Sequence, residues 1–319
     1  MQDFRNKKIG LRICAFCMVM IFVLAALSVL FDPVRLGMEN EVPGGENYYL
    51  NLLAEPENMT DVLILGDSES ISFLSTYDLW KDQGIASYIA GEPGDQISHL
   101  YYKLRKILKT QSPKVVILET NVLFAAIANV YDELNYIRGA IVDYYFPIFR
   151  YHGLWKQAVC KKNVQSSAFN GFDLRTQSDP YTKGTYMFES TGKSSFSRFV
   201  RMYMDRLRNL CRKNGIELLF VTSPSPLNHT MEKHNALEAY AKQYGITYID
   251  LNLKTEEIGI DWETDTLDGG DHLNYAGSKK VTEYLEEYLK KQYGLTDHRQ
   301  DKRYADWNAN ADDFSKLLQ

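Results

Sequence analysis

The fold is decided by Asp61-Val62-Leu63-Ile64-Leu65-Gly66-Asp67-Ser68-Glu69-Ser70. An apolar run of strand length ends at Gly66, and an intermittent helical pattern of large apolar residues follows it. Such a junction exposes Ser68 at the carboxyl edge of a buried strand, where open α/β sheets hold their sites. The same three residues, Gly66 to Ser68, are also what an ordinary turn with a helix cap selects. The rest of the chain has to decide between the two interpretations.

Segments of strand length alternate with segments of helix length on both sides of this stretch. Besides 61–65, the predicted strands are 86–90, 115–118, 217–222 and 246–250. Between them, helical apolar patterns run from about 69, 95, 196 and 237, and a last one precedes 295. This alternation predicts a parallel sheet covered by helices on both faces, in one α/β domain over 61–295.

Residues 122–195 interrupt the alternation and are rich in aromatic side chains, then in Ser, Thr and Gly. We interpret them as an insertion over the sheet edge, of the kind that forms lids or substrate walls. An aromatic helical subdomain that packs on itself is an equally good interpretation.

Charge is distributed unevenly along the 319 residues. The whole chain has a formal net charge of −5, but the first 31 residues hold four basic residues and one acidic residue. The remainder has 32 basic and 40 acidic residues, a net charge of −8. An acidic domain of this kind argues against nucleic acid as a partner.

Residues 13–31 form an apolar run that contains no charge, with Ser28 as its one polar residue. As a helix the run is long enough to cross a bilayer core. A cleaved signal peptide is the alternative, which the length of the run and the absence of a small-x-small cleavage site disfavour. The preceding basic residues predict a cytoplasmic tail at 1–12, a single-pass cell-membrane anchor at 13–31 and an extracytoplasmic remainder. A linker at 32–60 and a C-terminal tail at 296–319 complete the expected organisation.

The cysteines provide no disulfide framework for the part of the chain that follows the apolar run. Cys14 and Cys17 lie in the apolar run, so Cys160 and Cys211 are left as one possible disulfide, which the sequence does not decide. Histidines and cysteines do not occur at metal-ligand spacing, so we expect neither a metal nor a cofactor. Asn228-His229-Thr230 matches a glycosylation sequon, a weak signal.

A second chemical motif, Asp268-Gly269-Gly270-Asp271-His272, precedes the last amphipathic helix. A serine hydroxyl is a poor nucleophile, so it requires an imidazole to take its proton and a carboxylate to orient that ring. Attack on an ester also creates an oxyanion, which needs donors placed in advance. The backbone N–H groups of Ser68 and Gly94 and the side-chain amide of Asn121 could supply three.

Together, Gly66-Asp67-Ser68, Gly94, Asn121 and Asp268…His272 resemble the four sequence blocks of the SGNH/GDSL hydrolase superfamily. The resemblance implies a flavodoxin-like three-layer α/β/α sandwich, with Ser68 as nucleophile and His272 as base. It also implies that Gly94 and Asn121 complete the oxyanion hole. With its N-terminal anchor, the chain is similar to membrane-tethered members of the DltD and AlgX/AlgJ type, which work beside membrane-bound O-acyltransferases on bacterial envelope polymers.

The chain departs from the family pattern at three points. The acid is usually three residues before the histidine, where this chain has Gly269, so Asp268 and Asp271 are both possible. We favour Asp268, because the two glycines let the loop absorb an extra residue, and Asp271 adjoins the ring it would have to reach. Glu69 follows the nucleophile, and its charge would oppose an oxyanion unless it points outward. The third block reads Glu119-Thr120-Asn121 in place of Gly-x-Asn-Asp.

These observations favour a membrane-anchored serine O-acyltransferase or acylesterase that forms an acyl-Ser68 intermediate. Its substrates would be an acylated small molecule and a cell-envelope polysaccharide or teichoic acid. A non-catalytic accessory protein that partners a membrane-bound O-acyltransferase is one alternative, motivated by the displaced acid and by Glu69. A lipase acting on membrane lipids is the other, suggested by the aromatic insertion.

Overall fold

A five-stranded parallel sheet forms the centre of the computed structural model, which describes residues 2–38, 46–125, 127, 129–154 and 168–318. Its strands are β1 (Val62–Leu65), β2 (Ser87–Ile89), β3 (Val115–Glu119), β6 (Glu217–Thr222) and β7 (Thr247–Asp250). A separate hairpin consists of β4 (Ala168–Phe169) and β5 (Phe172–Asp173). The strand order β2-β1-β3-β6-β7 is the flavodoxin-like order. The predicted α/β fold is therefore confirmed.

Two groups of helices cover the sheet. Helix Ile97–Ile107 packs against Val130–Tyr145 and Arg198–Lys213, whereas Tyr275–Tyr293 packs against Ser70–Phe73 and Thr76–Gln83. Because every residue of β1 and β3 is buried, both faces of the sheet are enclosed. The other helices are Gln2–Leu30, Glu46–Ala54, Ile148–Tyr151, Met231–Tyr244, Thr255–Ile258 and Ala305–Leu317, with short 3-10 turns at Asn121–Phe124, Leu251–Leu253 and Lys302–Tyr304.

The stretch 32–60 is not a free linker in its second half. Helix Glu46–Ala54 lies within it, and its Leu50 and Leu52 side chains are completely buried. Gln111 binds the same stretch, because its side chain accepts the Met59 N–H at 2.8 Å. The Pro and Gly residues that suggested a connector say nothing about the apolar contacts made by this helix.

The predicted C-terminal tail at 296–319 is likewise part of the folded domain. Helix Ala305–Leu317 places Trp307 against Trp80, with ring centroids 5.3 Å apart, and Phe314 against Tyr77 at 4.6 Å. His298 bonds Asp61 at 2.7 Å, immediately before β1. The predicted tail therefore supplies large side chains to the core.

The described parts of the insertion pack on the domain, and helix Val130–Tyr145 also contacts helix Ile148–Tyr151 within the insertion. Helix Val130–Tyr145 contacts helix Ile97–Ile107, where the rings of Tyr102 and Tyr144 are 5.2 Å apart. The β4–β5 hairpin lies along β2, where Ile89 donates its N–H to the Asn170 carbonyl at 2.9 Å. Residues 155–167, and with them Cys160, lie outside the described residues, and Cys211, its possible disulfide partner, is a buried free cysteine.

The N-terminal helix Gln2–Leu30 is long and apolar enough to cross a membrane, a test that a signal sequence also passes. Its last turns rest on the domain, since Ser28 is buried and accepts the Ile148 N–H at 3.4 Å. Pro33, three residues beyond the end of the helix, is buried as well.

Candidate active site

Ser68, His272 and Asp268 meet at the carboxyl edge of the sheet. The Ser68 Oγ is 2.8 Å from His272 Nε2, and His272 Nδ1 is 2.7 Å from an oxygen of Asp268. The second Asp268 oxygen accepts the backbone N–H of His272 at 2.7 Å, whereas the nearest Asp271 oxygen is 3.8 Å from Nδ1. Asp268 therefore fixes the ring, and Nε2 is left to accept the serine proton.

Close backbone packing at two glycines holds the Ser68 turn. A Cβ on Gly66 would come within 2.8 Å of Glu119 Cβ, and a Cβ on Gly91 would come within 2.4 Å of the Gly66 carbonyl oxygen. The Asp67 carbonyl oxygen accepts both the N–H of Ser70, at 3.1 Å, and its hydroxyl, at 2.7 Å. The turn after β1 is thus wedged between the ends of β2 and β3.

A narrow loop presents the histidine and its acid side by side. An isolated bridge pairs Thr266 with Leu273, and the hydroxyl of Thr266 accepts the N–H of Gly270 at 2.7 Å. Gly269 and Gly270 have φ of +70° and +95°, conformations that glycine adopts without strain. The extra residue between Asp268 and His272 is accommodated there, as expected.

The Glu69 side chain points inward. It is completely buried, and its Oε1 accepts the Asn228 side-chain amide at 2.8 Å. The same amide also bonds Asp271. Burial, opposed by the neighbouring His272, raises the pKa of Glu69 to about 8. The carboxyl is therefore neutral near pH 7, so its charge does not oppose an oxyanion there.

Asn228 is a residue that the sequence reasoning missed, since it was noted only within a sequon. Its amide joins Glu69, beside the nucleophile, to Asp271, beside the base. The carbonyl of Asn228 in turn accepts a hydrogen bond from the Lys233 ammonium. No local pattern marks Asn228, because its two carboxylate partners come from distant parts of the chain.

Asn121 lies at the end of β3 with its side-chain amide 3.4 Å from an oxygen of Asp67. Its backbone N–H donates to Glu119 at 2.9 Å, and the other oxygen of Glu119 accepts the Ser223 N–H at 3.3 Å. Burial raises the pKa of Asp67 and of Glu119 above their usual ranges. Asn121 therefore lies at the carboxyl edge of the sheet, where the resemblance implies a donor to the oxyanion. Two buried carboxyl groups, those of Asp67 and Glu119, contact it there.

The loop that carries Gly94 follows β2 and is held by a buried cation, Lys103, which the sequence reasoning also missed. The Lys103 Nζ is 2.9 Å from Glu92 and 2.7 Å from Asp95. Burial alone would lower the pKa of Lys103, but the two carboxylates raise it above its usual value. Gly94 itself has a φ of +82°. The loop conformation thus depends on one fully ion-paired ammonium.

Among the described residues, Glu69, Asp271 and His272 place ligand atoms within 4.8 Å of one another, the spacing a metal ion would need. Both ring nitrogens of His272 are already engaged, by Ser68 and by Asp268. A metal would have to displace the serine or the acid, so the arrangement suits nucleophilic chemistry better than metal binding.

Neither a protein-family model nor a curated protein matches the chain. Solved structures do match. A GDSL-like lipase from Bacteroides thetaiotaomicron is 13% identical, with a TM-score of 0.40. The match covers 78% of this chain and 98% of the lipase chain. A carbohydrate acetylesterase family member from Sinorhizobium meliloti is 14% identical, with a TM-score of 0.38, covering 74% of this chain and 100% of its own. A protein from Bacteroides fragilis assigned as an acylhydrolase is 14% identical, with a TM-score of 0.41. The match covers 77% of this chain and 95% of the Bacteroides fragilis chain.

Proposed function

We propose that the protein is a membrane-anchored serine esterase or O-acyltransferase of the SGNH type that forms an acyl-Ser68 intermediate. The observation that carries the proposal is the hydrogen-bonded series Ser68–His272–Asp268, built from residues 204 positions apart in the chain. Chance packing rarely gives a serine, an imidazole and a carboxylate these contacts at the carboxyl edge of a parallel sheet.

In the proposed first step, His272 Nε2 takes the Ser68 proton as Oγ attacks the ester carbonyl carbon. The oxyanion would be stabilised by the N–H groups of Ser68 and Gly94 and by the Asn121 amide. Asp268 would stabilise the imidazolium. The acyl–oxygen bond then breaks, and the leaving alcohol takes the proton from His272. In the second step, His272 deprotonates an acceptor hydroxyl, which attacks the acyl carbon. The bond between that carbon and Ser68 Oγ then breaks, and Oγ takes the proton back from His272.

Water as acceptor makes the enzyme an esterase, and a sugar or polyol hydroxyl makes it a transferase. The apolar N-terminal helix, preceded by basic residues, supports a cell-membrane anchor with a cytoplasmic N terminus and an extracytoplasmic site. We therefore propose an envelope polysaccharide or teichoic acid as the acceptor, with an acylated donor that a membrane-bound O-acyltransferase could supply.

A lipid ester is the second candidate substrate. Helix Ile148–Tyr151 contacts the end of the N-terminal helix, and its Arg150 reaches Glu92, in the loop that carries Gly94, at 3.5 Å. A site beside the anchor would suit a membrane lipid. Release of fatty acid from vesicles, measured beside acylation of the isolated polymer, distinguishes the two substrates.

The test uses the full chain in detergent with a fluorophosphonate probe and p-nitrophenyl acetate. We expect labelling and turnover by the wild type, loss of both in Ser68→Ala, and retention of both in Ser178→Ala, a matched change at an exposed serine. An unlabelled wild type, or equal labelling of Ser68→Ala, would show that Ser68 is not the nucleophile. A Ser68→Ala variant that complements a deletion strain would then support the accessory, non-catalytic alternative.

A further inference from the structure

Exposed apolar side chains concentrate on one side of helix Val130–Tyr145. Leu134, Ile141 and Tyr145 are spaced by seven and four residues, so they share one line along the helix. They are 44%, 37% and 53% exposed, and Phe149, in the next helix, is 52% exposed. Large apolar groups that are exposed together usually mark a contact surface.

The helix packs on the domain through a different side. Glu133 and Ala140 are buried, and Tyr144 packs against Tyr102. The line of Ile141 and Tyr145 therefore lies on a different side of the helix from the residues that pack on the domain, although the Tyr145 ring also contacts that of Tyr144.

The contact with the N-terminal helix shows where this surface lies. Ile148 donates its N–H to Ser28, which is two residues before the end of that helix. At about 1.5 Å of rise per residue, the contact is roughly 3 Å from the helix end. Ser28 lies inside the apolar span Asn6–Leu30, so the neighbouring Phe149 lies near the level at which a spanning helix leaves the hydrocarbon.

Cations lie beside the same surface. The Arg105 guanidinium is 4.7 Å from the centre of the Tyr144 ring, and the Lys109 ammonium is 5.4 Å from it. Lys106 pairs with Asp32, just past the N-terminal helix, at 3.5 Å. Tyrosine rings flanked by Arg and Lys are the combination that membrane interfaces favour, with the charged groups at the level of the lipid phosphates.

We propose that Ile141, Tyr145 and Phe149, here called the juxtamembrane patch, insert into the interfacial layer of the bilayer on the side of the catalytic domain. The inference rests on the membrane anchor of the proposed function. It adds a second membrane contact, which fixes the orientation of the domain. Arg150, next to Phe149, contacts Glu92, so this seating brings the loop of Gly94 close to the lipid surface.

The test places tryptophan reporters in the full chain, reconstituted in vesicles of phosphatidylcholine brominated either near the headgroup or near the end of the acyl chains. Phe149→Trp reports on the patch, and Phe188→Trp is the matched control, at an aromatic residue that is 69% exposed elsewhere on the domain. Phe22→Trp, within the apolar span, reports insertion of the anchor. Wild-type fluorescence is subtracted from each, since the chain contains 4 Trp.

We expect bromolipid to quench the reporters at 149 and 22 and to leave the reporter at 188 unquenched. If the reporter at 22 is quenched while that at 149 behaves like that at 188, the patch faces water or another protein. That result overturns the inference and leaves the anchor intact. If the reporter at 22 is also unquenched, the anchor fails and the inference fails with it. Fluorophosphonate labelling of each variant shows separately that its active site is folded.

Discussion

Glu69 is the residue whose environment differs most from what its chemistry suggests. A glutamate just before a short helix is ordinarily exposed and ionised, where it favours the helix N terminus. Here its side chain is completely buried beside Ser68 and His272, with a pKa near 8. The carboxyl group thus changes charge within the pH range in which an esterase of this type would work.

Glu69→Gln should change the pH profile of ester hydrolysis. Burial would lower the pKa of His272, but Glu69 and the two aspartates of its loop raise it above the ordinary value of 6.5. Wild-type activity should rise as His272 loses its proton and fall again as Glu69 ionises near pH 8. Because the two groups interact, these limbs report apparent pKa values of the pair.

In Glu69→Gln the alkaline fall should disappear, because an amide cannot ionise, and the acid limb should remain, because Asp268 and Asp271 still favour the imidazolium. The amide oxygen still accepts from Asn228, so folding is expected to be preserved. Turnover of p-nitrophenyl acetate measured across the pH range checks both limbs, and a profile identical to that of the wild type would contradict the prediction.

Asp268→Asn should be far more damaging than Asp271→Asn. Loss of the acid that orients the base typically lowers kcat by about 10⁴-fold. Asp271 is 3.8 Å from the ring and should therefore contribute much less. Steady-state kinetics of the two variants make the comparison, and equal losses would assign the orienting role to neither residue alone.

Sequence reasoning singled out Ser68, His272 and two possible acids, because serine at a strand end and histidine in a Gly-rich loop are local patterns. It favoured Asp268 and kept Asp271 as the alternative, since the choice depends on how two glycines turn the loop. Asn228 was beyond its reach, because the importance of this residue comes entirely from groups distant in the chain.

At the level of elements, the loop after β2 depends on the helix that follows it. Lys103, from the second turn of helix Ile97–Ile107, is buried and contacts Glu92, Asp95 and the Ala90 carbonyl. A buried ammonium is tolerated only when its charge is matched in this way. The helix therefore holds the loop that carries Gly94 in one conformation.

Lys103→Met should lower kcat while KM changes little, because it leaves two buried carboxylates without a cation and frees the Gly94 loop. Breaking a buried ion pair typically costs about 3–5 kcal/mol of stability. Kinetics and denaturant unfolding are measured beside Lys106→Met, a change on the same helix at a lysine that pairs with Asp32. Lys103→Arg should recover part of the activity; equal losses in the two Met variants would argue against a positioning role.

The alternation of strands and helices was predictable because parallel strands buried on both faces give continuous apolar runs. Helices Glu46–Ala54 and Ala305–Leu317 were missed for a physical reason. Their burial depends on contacts with residues far away in the chain, such as the contact of Trp307 with Trp80 and the hydrogen bond from Trp307 to Glu55.

Across the whole molecule, the last segment of the chain closes the domain on the side of β1 and β2. Trp307 packs against Trp80 and Tyr304, with ring centroids 5.3 Å apart in each pair, and against Tyr88 at 6.3 Å. Its indole N–H donates to Glu55 at 3.3 Å. The two segments predicted to be a linker and a tail thus meet each other at this side.

Trp307→Ala should lower the free energy of unfolding by about 3–5 kcal/mol, the usual cost of removing a buried tryptophan. Leu317→Ala, near the end of the same helix and 51% exposed, is the control and should change it by less than about 0.5 kcal/mol. Denaturant unfolding of the full chain in detergent measures both. A Trp307→Ala variant as stable as the control would show that the helix contributes little to the fold.

The β4–β5 hairpin has a consequence for how these molecules behave when they are crowded on a surface. A bare outer strand invites pairing with a neighbouring chain and hence aggregation. Ile89 of β2 instead bonds the hairpin, and Gly171 approaches so closely that a Cβ there would be 2.3 Å from the Ile89 carbonyl oxygen. Because residue 171 is a glycine, the hairpin can cover the outer edge of β2. A covered edge is less prone to pair with a neighbouring chain, which matters wherever many copies are held close together.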